Sequence, residues 1–186
     1  MMPNQPDSLE TSFRVDDWES LWHLYNTYST EPNWPLDLRS QKAFAQMIEA
    51  WSLSAWLRDG QVEIAIAQPS ARPIGFASLT TAFGEHPDLG RAMEIGTYLA
   101  PAARGSGLNQ KLKLRALHAA KEIYGADWLV ASIPLANERA RRAYAKLPIA
   151  FFAYQGERPS PWYPYWRRRQ FAAGTPVMLY ITPLHD

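Results

Sequence analysis

The residues Arg104-Gly105-Ser106-Gly107 separate two hydrophobic patterns of different period. Residues 91–99, before them, have the length and composition of a β-strand. Residues 108–123, after them, repeat apolar side chains every three or four positions, as one face of a helix does. This change of period predicts a strand that runs through a glycine-rich turn into a helix, and it places the chain among the α/β folds.

The other segments continue this mixture of strands and helices. Residues 18–28 and 44–51 carry aromatic and aliphatic side chains at helical spacing, and we interpret these stripes as core-facing. Strands are predicted at 12–15, 62–68, 73–83, 91–99, 127–134, 151–155 and 176–181, and helices at 18–28, from about 40, at 108–123 and at 137–147. The basic, aromatic segment between the last two strands is predicted as a loop. The order β-α-α-β-β-β-α-β-α-β-β indicates a mixed α/β sheet.

A length of 186 residues suits one domain. We expect a flexible tail over residues 1–11 and a single domain over residues 12–186. The sequence contains no cysteine, which excludes disulfides, thiolate metal sites and cysteine nucleophiles. The four histidines are scattered without metal-ligand spacing, so no metal is expected.

The N-terminus lacks a basic segment followed by an apolar one, and no apolar stretch approaches the length of a membrane span. Secretion and membrane insertion are therefore not expected. The absence of cysteine also suits a reducing compartment, and the prediction is a cytoplasmic protein.

Charge is distributed unevenly along the chain. Residues 1–90 contain five basic and twelve acidic side chains, whereas residues 91–170 contain fourteen basic and five acidic ones. Clustered positive charge raises the local concentration of phosphates. The basic half is interpreted either as the region that binds a polyanionic ligand or as an ordinary solvated surface.

The glycine-rich turn has the chemistry of an anion site. A turn of this kind can present several backbone N–H groups at the start of a helix, where the helix dipole also favours a pyrophosphate. Arg104 adds a fixed positive charge for the same anion. The Walker pattern is absent because no Gly-Lys-Ser/Thr ends the turn, and Gln110 stands where the dinucleotide pattern needs its last glycine. An ordinary glycine-rich turn is the alternative.

These residues resemble a known family. The run Arg104-Gly105-Ser106-Gly107-Leu108-Asn109 is similar to the acetyl-CoA loop of GNAT acetyltransferases, Arg/Gln-x-x-Gly-x-Gly/Ala. Downstream, the family's later helix pattern, Asn-x-x-Ala-x-x-x-Tyr-x-Lys, is matched by Asn137, Ala140, Tyr144 and Lys146. The resemblance extends over about residues 74–147. It implies a mixed, mostly antiparallel central sheet flanked by helices on both faces.

Two positions depart from the family pattern. Asn109 replaces the small last residue of the loop, a variant that resembles the ribosomal-protein N-terminal acetyltransferase branch. Pro148 stands where a glycine is usual, so we expect an altered exit from the late helix.

The resemblance implies an N-acetyltransferase in which an amine attacks the thioester of acetyl-CoA directly. It implies that Tyr144 donates a proton to the departing thiolate and that Glu94 acts as general base, directly or through water. It also implies the amide of Leu99 as oxyanion donor and a hydrogen bond from Asn137 to the pantetheine arm. The alternatives are a core aromatic for Tyr144, a solvated strand carboxylate for Glu94 and a helix cap for Asn137.

Several further assignments stay open. Lys111 and Arg115 either approach the 3′-phosphate of the cofactor or are solvated charges. The segment Trp162–Arg169 could gate an amine substrate or bind a partner subunit in a homodimer. Two less favoured alternatives are that it holds a nucleic-acid strand on its rings or contacts a membrane surface. The acceptor is a small-molecule or peptide amine. The rival to an enzyme is a catalytically silent module that binds acyl-CoA.

Overall fold

The computed structural model describes residues 10–185, and it has helices and strands close to those predicted. The strands are β1 (Thr11–Val15), β2 (Gly60–Ala67), β3 (Arg72–His86), β4 (Gly90–Leu99), β5 (Trp128–Pro134), β6 (Phe152–Tyr154) and β7 (Val177–Pro183). The α-helices are α1 (Trp18–Tyr28), α2 (Gln41–Trp56), α3 (Leu108–His118), α4 (Glu138–Ala145) and α5 (Tyr163–Ala173). Short 3₁₀ turns cover Leu36–Leu38 and Pro101–Ala103, and a π-helical turn, Ala119–Ile123, extends α3.

The strands form one seven-stranded sheet in the order β1-β2-β3-β4-β5-β7-β6. The pairs β1–β2, β5–β7 and β6–β7 are antiparallel, while β4 and β5 are parallel. The predicted mixed, mostly antiparallel α/β fold is therefore confirmed. The parallel register joins Ala92–Glu94 to Trp128–Val130, whereas β5 pairs with β7 along its whole length.

The loop predicted between the last two strands is wrong, because this segment contains α5. A proline in the first turn, Pro164, is compatible with a helix since that position has no intrahelical N–H bond to lose. Gly174 ends the helix in the left-handed conformation, at φ +62°. Proline content was thus a misleading loop signal here.

The first of two compact units comprises residues 10–78 and 97–113. Asp17 caps α1 through the amide of Ser20, and Ser40 caps α2 through the amide of Ala43. The aromatic stripes of both helices face inward as predicted. The core of this unit contains Leu21, Leu24, Tyr25, Trp34, Leu38, Phe44, Trp51, Val62, Ile64, Ile66, Phe76 and Tyr98.

The second unit comprises residues 79–96 and 114–185. Its core contains Ala82, Ala92, Val130, Tyr154, Trp162, Tyr165, Leu179 and Ile181. The single domain expected over residues 12–186 stays a prediction. The tail expected over residues 1–11 lies outside the described residues except at its end, where Thr11 already begins β1.

Candidate functional site

The six residues from Arg104 to Asn109, here called the bend, connect the 3₁₀ turn after β4 to the first turn of α3. Gly105 and Gly107 have φ values of +79° and +78°. A Cβ added at either glycine would meet no atom within 4 Å. Backbone conformation, and not lack of space, therefore selects glycine at these two positions.

Turn hydrogen bonds brace the chain where the bend begins. The Ala103 amide donates to the carbonyl of Ala100 at 2.9 Å, and the Arg104 amide donates to the carbonyl of Pro101 at 3.2 Å. Within the bend, the Ser106 hydroxyl donates to the Ala103 carbonyl at 2.7 Å. These bonds use local acceptors and satisfy the side chain of the serine.

The amides of the bend itself point to an anion site. The hydrogen bonds found among residues 10–185 include none donated by the backbone N–H groups of Gly105, Ser106 or Gly107. Leu108 and Asn109 follow as the first two residues of α3, where N–H groups have no acceptor within the helix, and the Leu108 amide makes only a long bond, 3.4 Å, to Ser106 Oγ. Free amides beside a helix N-terminus are the arrangement that binds phosphate groups. The bend therefore fits the diphosphate of a coenzyme.

The side chain of Arg104 has a different partner from the expected one. Its Nη1 and Nη2 donate to the two carboxylate oxygens of Glu31 at 3.0 and 2.8 Å, and its Nε donates to the Leu99 carbonyl at 3.1 Å. The hydrogen bonds from Arg104 are the main reason why the pKa of Glu31 falls from 4.5 to about 2. Arg104 thus ties the start of the bend to the end of β4, and its phosphate contact stays a prediction.

The end of β4 is closely packed against β3. A Cβ added to Gly75 would lie 2.6 Å from Leu99 Cδ2 and 2.7 Å from the Tyr98 carbonyl oxygen, so only glycine allows this approach. Leu99 lies beyond Glu94, the last β4 residue in register with β5. Its peptide is held through the carbonyl, by Arg104, and its amide stays the predicted oxyanion donor.

Lys113 is a residue of this region that the sequence analysis missed. Only 3% of it is exposed, and its Nζ donates to Asn109 Oδ1 at 2.8 Å and to Thr97 Oγ1 at 2.9 Å. Burial lowers the pKa of its ammonium to about 7. The i,i+4 spacing from Asn109 was the available signal, since residues four apart lie on one helix face. Lys111 and Arg115, which were predicted for the 3′-phosphate, lie on the exposed side of α3.

In the second unit, Glu94 lies among side chains from α4 and α5. Arg169 Nε is 3.2 Å from Glu94 Oε1, and the glutamate side chain is 17% exposed. The negative charge of Glu94 also acts on the hydroxyl groups of Tyr144 and Tyr165. We call Glu94, Tyr144, Tyr165 and Arg169 the Glu94 cluster. The two predicted catalytic residues, Glu94 and Tyr144, are therefore close enough for the charge of one to act on the hydroxyl of the other, and they are joined by Tyr165 and Arg169 of the segment Trp162–Arg169.

Tyr144 is buried, with 5% of its surface exposed. Its ring stacks on Tyr180 at a centroid distance of 5.4 Å and meets Phe151 edge-on at 5.1 Å. Burial, and after it the charge of Glu94, raises the pKa of the Tyr144 hydroxyl well above its ordinary value. The hydroxyl is thus protonated near neutral pH.

Asn137 caps α4. Its Oδ1 accepts from the Ala140 amide at 3.0 Å, and the residue is exposed. The capping alternative considered for Asn137 is therefore present in the structure. A contact from its side-chain NH₂ to a pantetheine arm stays a prediction.

Contacts within the second unit hold the segment Trp162–Arg169 in place. Trp162 and Tyr165 are buried, the Trp166 indole donates to the Val177 carbonyl at 3.1 Å, and Arg168 donates to the Ala82 carbonyl at 2.7 Å. Stacking platforms for a nucleic-acid strand need exposed rings. The rings of Trp162 and Tyr165 belong to the core of the second unit instead.

Residues 10–185 contain no group of three or more histidine, aspartate or glutamate side chains placed to hold a metal ion. Within the same residues, no helix combines the length and the apolar character needed to cross a membrane.

Comparison with known families identifies the sequence pattern. The family model described as "Acetyltransferase (GNAT) domain" matches residues 9–148 of the chain. A comparison with curated protein sequences gives no significant match.

Solved structures share the fold at low identity. A chimera of the spermidine N-acetyltransferase SpeG from Vibrio cholerae and hSSAT has a TM-score of 0.64 and 15% identity, over 94% of this chain and 95% of that chain. An N-acetyltransferase from Staphylococcus aureus has a TM-score of 0.64 and 18% identity, over 95% and 99%. The ribosomal-protein-S5-alanine acetyltransferase from Vibrio fischeri has a TM-score of 0.62 and 11% identity, over 98% and 97%.

Proposed function

Because the chain belongs to the GNAT family of acetyltransferases, we propose that it transfers the acetyl group of acetyl-CoA to a primary amine by direct attack, without an acyl-enzyme. The observation that carries this proposal is the bend. Its unpaired amides and positive φ values fit a diphosphate, and they lie in the part of the chain that the family model covers.

The bend would hold the cofactor through its backbone. The amides of Gly105, Ser106 and Gly107, followed by those of Leu108 and Asn109 in the first turn of α3, would bind the diphosphate oxygens. Arg104 would act indirectly, because its guanidinium keeps the peptide of Leu99 and the start of the bend together.

In the reaction, the amine nitrogen forms a bond to the thioester carbonyl carbon, and the carbon–sulfur bond then breaks. The products are the N-acetylated amine and CoA. One proton leaves the amine and one proton reaches the thiolate, so the step balances without any further reactant. The requirements for the protein are a proton acceptor, a proton donor and a hydrogen-bond donor for the oxyanion.

Tyr144 would supply the proton for the thiolate. Its raised pKa keeps the hydroxyl protonated before the reaction, and its burial makes a lasting tyrosinate unfavourable. Because the same burial makes the hydroxyl a weaker acid, donation to the thiolate has to be coupled to the return of a proton, ultimately the one that the amine releases.

Glu94 would take up the amine proton, directly or through water. Arg169 lies 3.2 Å from its carboxylate and keeps the side chain in place within the cluster. The amide of Leu99 would donate to the developing oxyanion, and the side-chain NH₂ of Asn137 would bind the pantetheine arm.

The acceptor would be a small-molecule or peptide amine. Relatives in fold include enzymes named for spermidine and for the alanine of a ribosomal protein, so polyamines and N-terminal peptides are the first compounds to assay. The fold alone does not choose between them.

Two measurements on purified full-length protein test the proposal. Calorimetry with CoA should show saturable binding, and a panel of polyamines, amino acids, aminoglycosides and peptides should include an amine that releases free thiol from acetyl-CoA. The substitution Gly107→Ala in the bend should weaken CoA binding. Gly125→Ala is its matched control, because Gly125 also has positive φ and free space but lies outside the bend. Absence of CoA binding by the wild type would remove the proposal. Tight binding without thiol release for any amine would favour the silent acyl-CoA module.

A further inference from the structure

The ammonium of Lys113 joins two segments on either side of the bend. Asn109, the last residue of the bend, accepts from Nζ at 2.8 Å through its side-chain oxygen. Thr97, two residues before the end of β4, accepts from the same Nζ at 2.9 Å. A single cation therefore connects the strand that enters the bend to the helical turn that leaves it.

A lysine at this position costs folding free energy, because its charge is buried. Only 3% of Lys113 is exposed, and its helix neighbours Leu112 and Ala116 are buried apolar residues. Taking an ammonium out of water opposes its charge, and burial lowers the pKa of Lys113 to about 7. An apolar side chain of similar volume is commonly neutral or favourable in place of a buried charge. Stability therefore does not account for a lysine here.

The placement of Lys113 suggests a role at the bend. Gly105 and Gly107 give the backbone of the bend more conformational freedom than other residues would. The amides of the bend therefore keep their direction only if its two ends stay in place. Arg104 fixes one end through Leu99 and Glu31. Lys113 fixes the other end through Asn109.

We propose that Lys113 is a positioning residue for acetyl-CoA binding, which holds the bend in its diphosphate-binding arrangement through Asn109 and Thr97. The inference rests on the proposed function, since it assigns the bend to the cofactor. Lys113 contributes in two ways: it reduces the backbone freedom that binding would otherwise remove, and it places a cation within the first two turns of α3, where an anion is bound.

The experiment compares three proteins: the wild type, Lys113→Met, and Lys121→Met as a control that removes an exposed lysine from the following π-helical turn. Met retains the length and the apolar stem of the side chain but loses the ammonium. For each protein, the thermal midpoint without ligand, the Kd for CoA by calorimetry, and the kcat and KM for acetyl-CoA are measured.

For Lys113→Met we expect an unchanged or higher thermal midpoint, together with a Kd for CoA that rises about tenfold or more. The KM for acetyl-CoA should rise in parallel while kcat changes little, because the lost interaction assists binding and not the chemical step. Lys121→Met should keep the wild-type Kd. A purely structural lysine would give the opposite pattern, a lower midpoint with no specific loss of affinity.

Thr97→Val provides a second, nearly isosteric variant that removes one of the two acceptors. It should raise the Kd in the same direction by a smaller factor, and its effect should be less than additive with that of Lys113→Met. If Lys113→Met does not fold, Thr97→Val decides the matter. An unchanged Kd in whichever variant folds overturns the inference while the wild type binds CoA. A wild type that binds no CoA overturns the proposed function itself.

Discussion

The bend and the Glu94 cluster are built in different ways. The bend is made of consecutive residues, it offers backbone amides, and its braces come from residues 97–113 with one distant partner, Glu31. The Glu94 cluster offers side chains, and these come from β4, α4 and α5, with Tyr144 and Arg169 far along the chain from Glu94.

From this difference we expect the bend to serve cofactor binding and the Glu94 cluster to serve the chemical step. A backbone site depends on conformation, so its sensitive positions are glycines and the residues that hold them. A side-chain cluster depends on particular functional groups, so its sensitive positions are the groups themselves. Substitutions in the bend should therefore change affinity or stability, and substitutions in the cluster should change kcat.

The largest expected effect belongs to the cluster. Tyr144→Phe removes the proposed proton donor but keeps the ring that stacks on Tyr180, and kcat should fall by about 10²-fold or more. The KM for acetyl-CoA should stay within about twofold, since the change affects the transition state and not ground-state binding. Tyr180→Phe makes the same chemical change on the neighbouring ring and should leave kcat almost unchanged. Equal rates for wild type and Tyr144→Phe would return Tyr144 to the role of a core aromatic.

The next effect concerns stability at the bend. Glu31→Gln breaks the pair with Arg104, whose side chains are 16% and 17% exposed. Because removing one partner leaves a poorly solvated charge, we expect a loss of about 2 kcal/mol in the free energy of unfolding. Glu138→Gln breaks the exposed pair with Arg142, whose length of 2.9 Å is close to the 2.8 Å of the Glu31 pair, and should cost less than about 0.5 kcal/mol. Thermal unfolding of the three proteins measures both differences.

The same pair has a pH signature. The pKa of Glu31 is lowered in the fold from 4.5 to about 2, so its contribution to stability is complete above pH 4.5 and is lost as the pH falls toward 2. The stability advantage of the wild type over Glu31→Gln should therefore shrink across that range. An advantage that stays constant down to pH 2 would show that the carboxylate charge is not what stabilises the bend.

A smaller effect distinguishes strain from binding. Gly107→Ala and Gly125→Ala both force a side chain into positive φ with open space around it, so each should destabilise the fold by about 1 kcal/mol. Only Gly107→Ala lies in the bend and should also weaken CoA binding by calorimetry. Equal affinities for the two variants would mean that the bend does not contact the cofactor.

The smallest effect concerns Asn137. Asn137→Ala removes the cap of α4 and should cost about 1 kcal/mol, whereas Asn137→Asp keeps a capping oxygen and should be close to neutral in stability. Aspartate, however, loses the NH₂ group proposed for the pantetheine arm. A higher KM for acetyl-CoA in Asn137→Asp at unchanged stability supports the cofactor contact, and an unchanged KM limits Asn137 to capping.

The local parts of the molecule followed from the sequence. The strand, the bend and α3 were predicted from a change of period and two glycines, and both glycines do have positive φ. Asn137 was named as a possible helix cap from its position before a helical pattern, and its side chain accepts the expected amide bond. Signals of this kind work because both partners lie within a few residues of each other.

Contacts between distant segments could not be predicted from the sequence. The sequence suggested that Arg104 is a charge for phosphate, but the fold places Glu31, 73 residues away, against its guanidinium. The sequence also suggested a loop for the segment that contains α5, whose residues Trp162 and Tyr165 join the core of the second unit.

The sequence by itself thus determined the α/β class, the bend with its exposed amides and the presence of a tyrosine and a glutamate suited to acetyl transfer. Only the tertiary structure decided which charges are already paired, that Lys113 is buried behind the bend, and that Tyr144 shares the environment of Glu94. The physical reason is range: periodicity and capping depend on neighbours along the chain, whereas burial and ion pairing depend on neighbours in space.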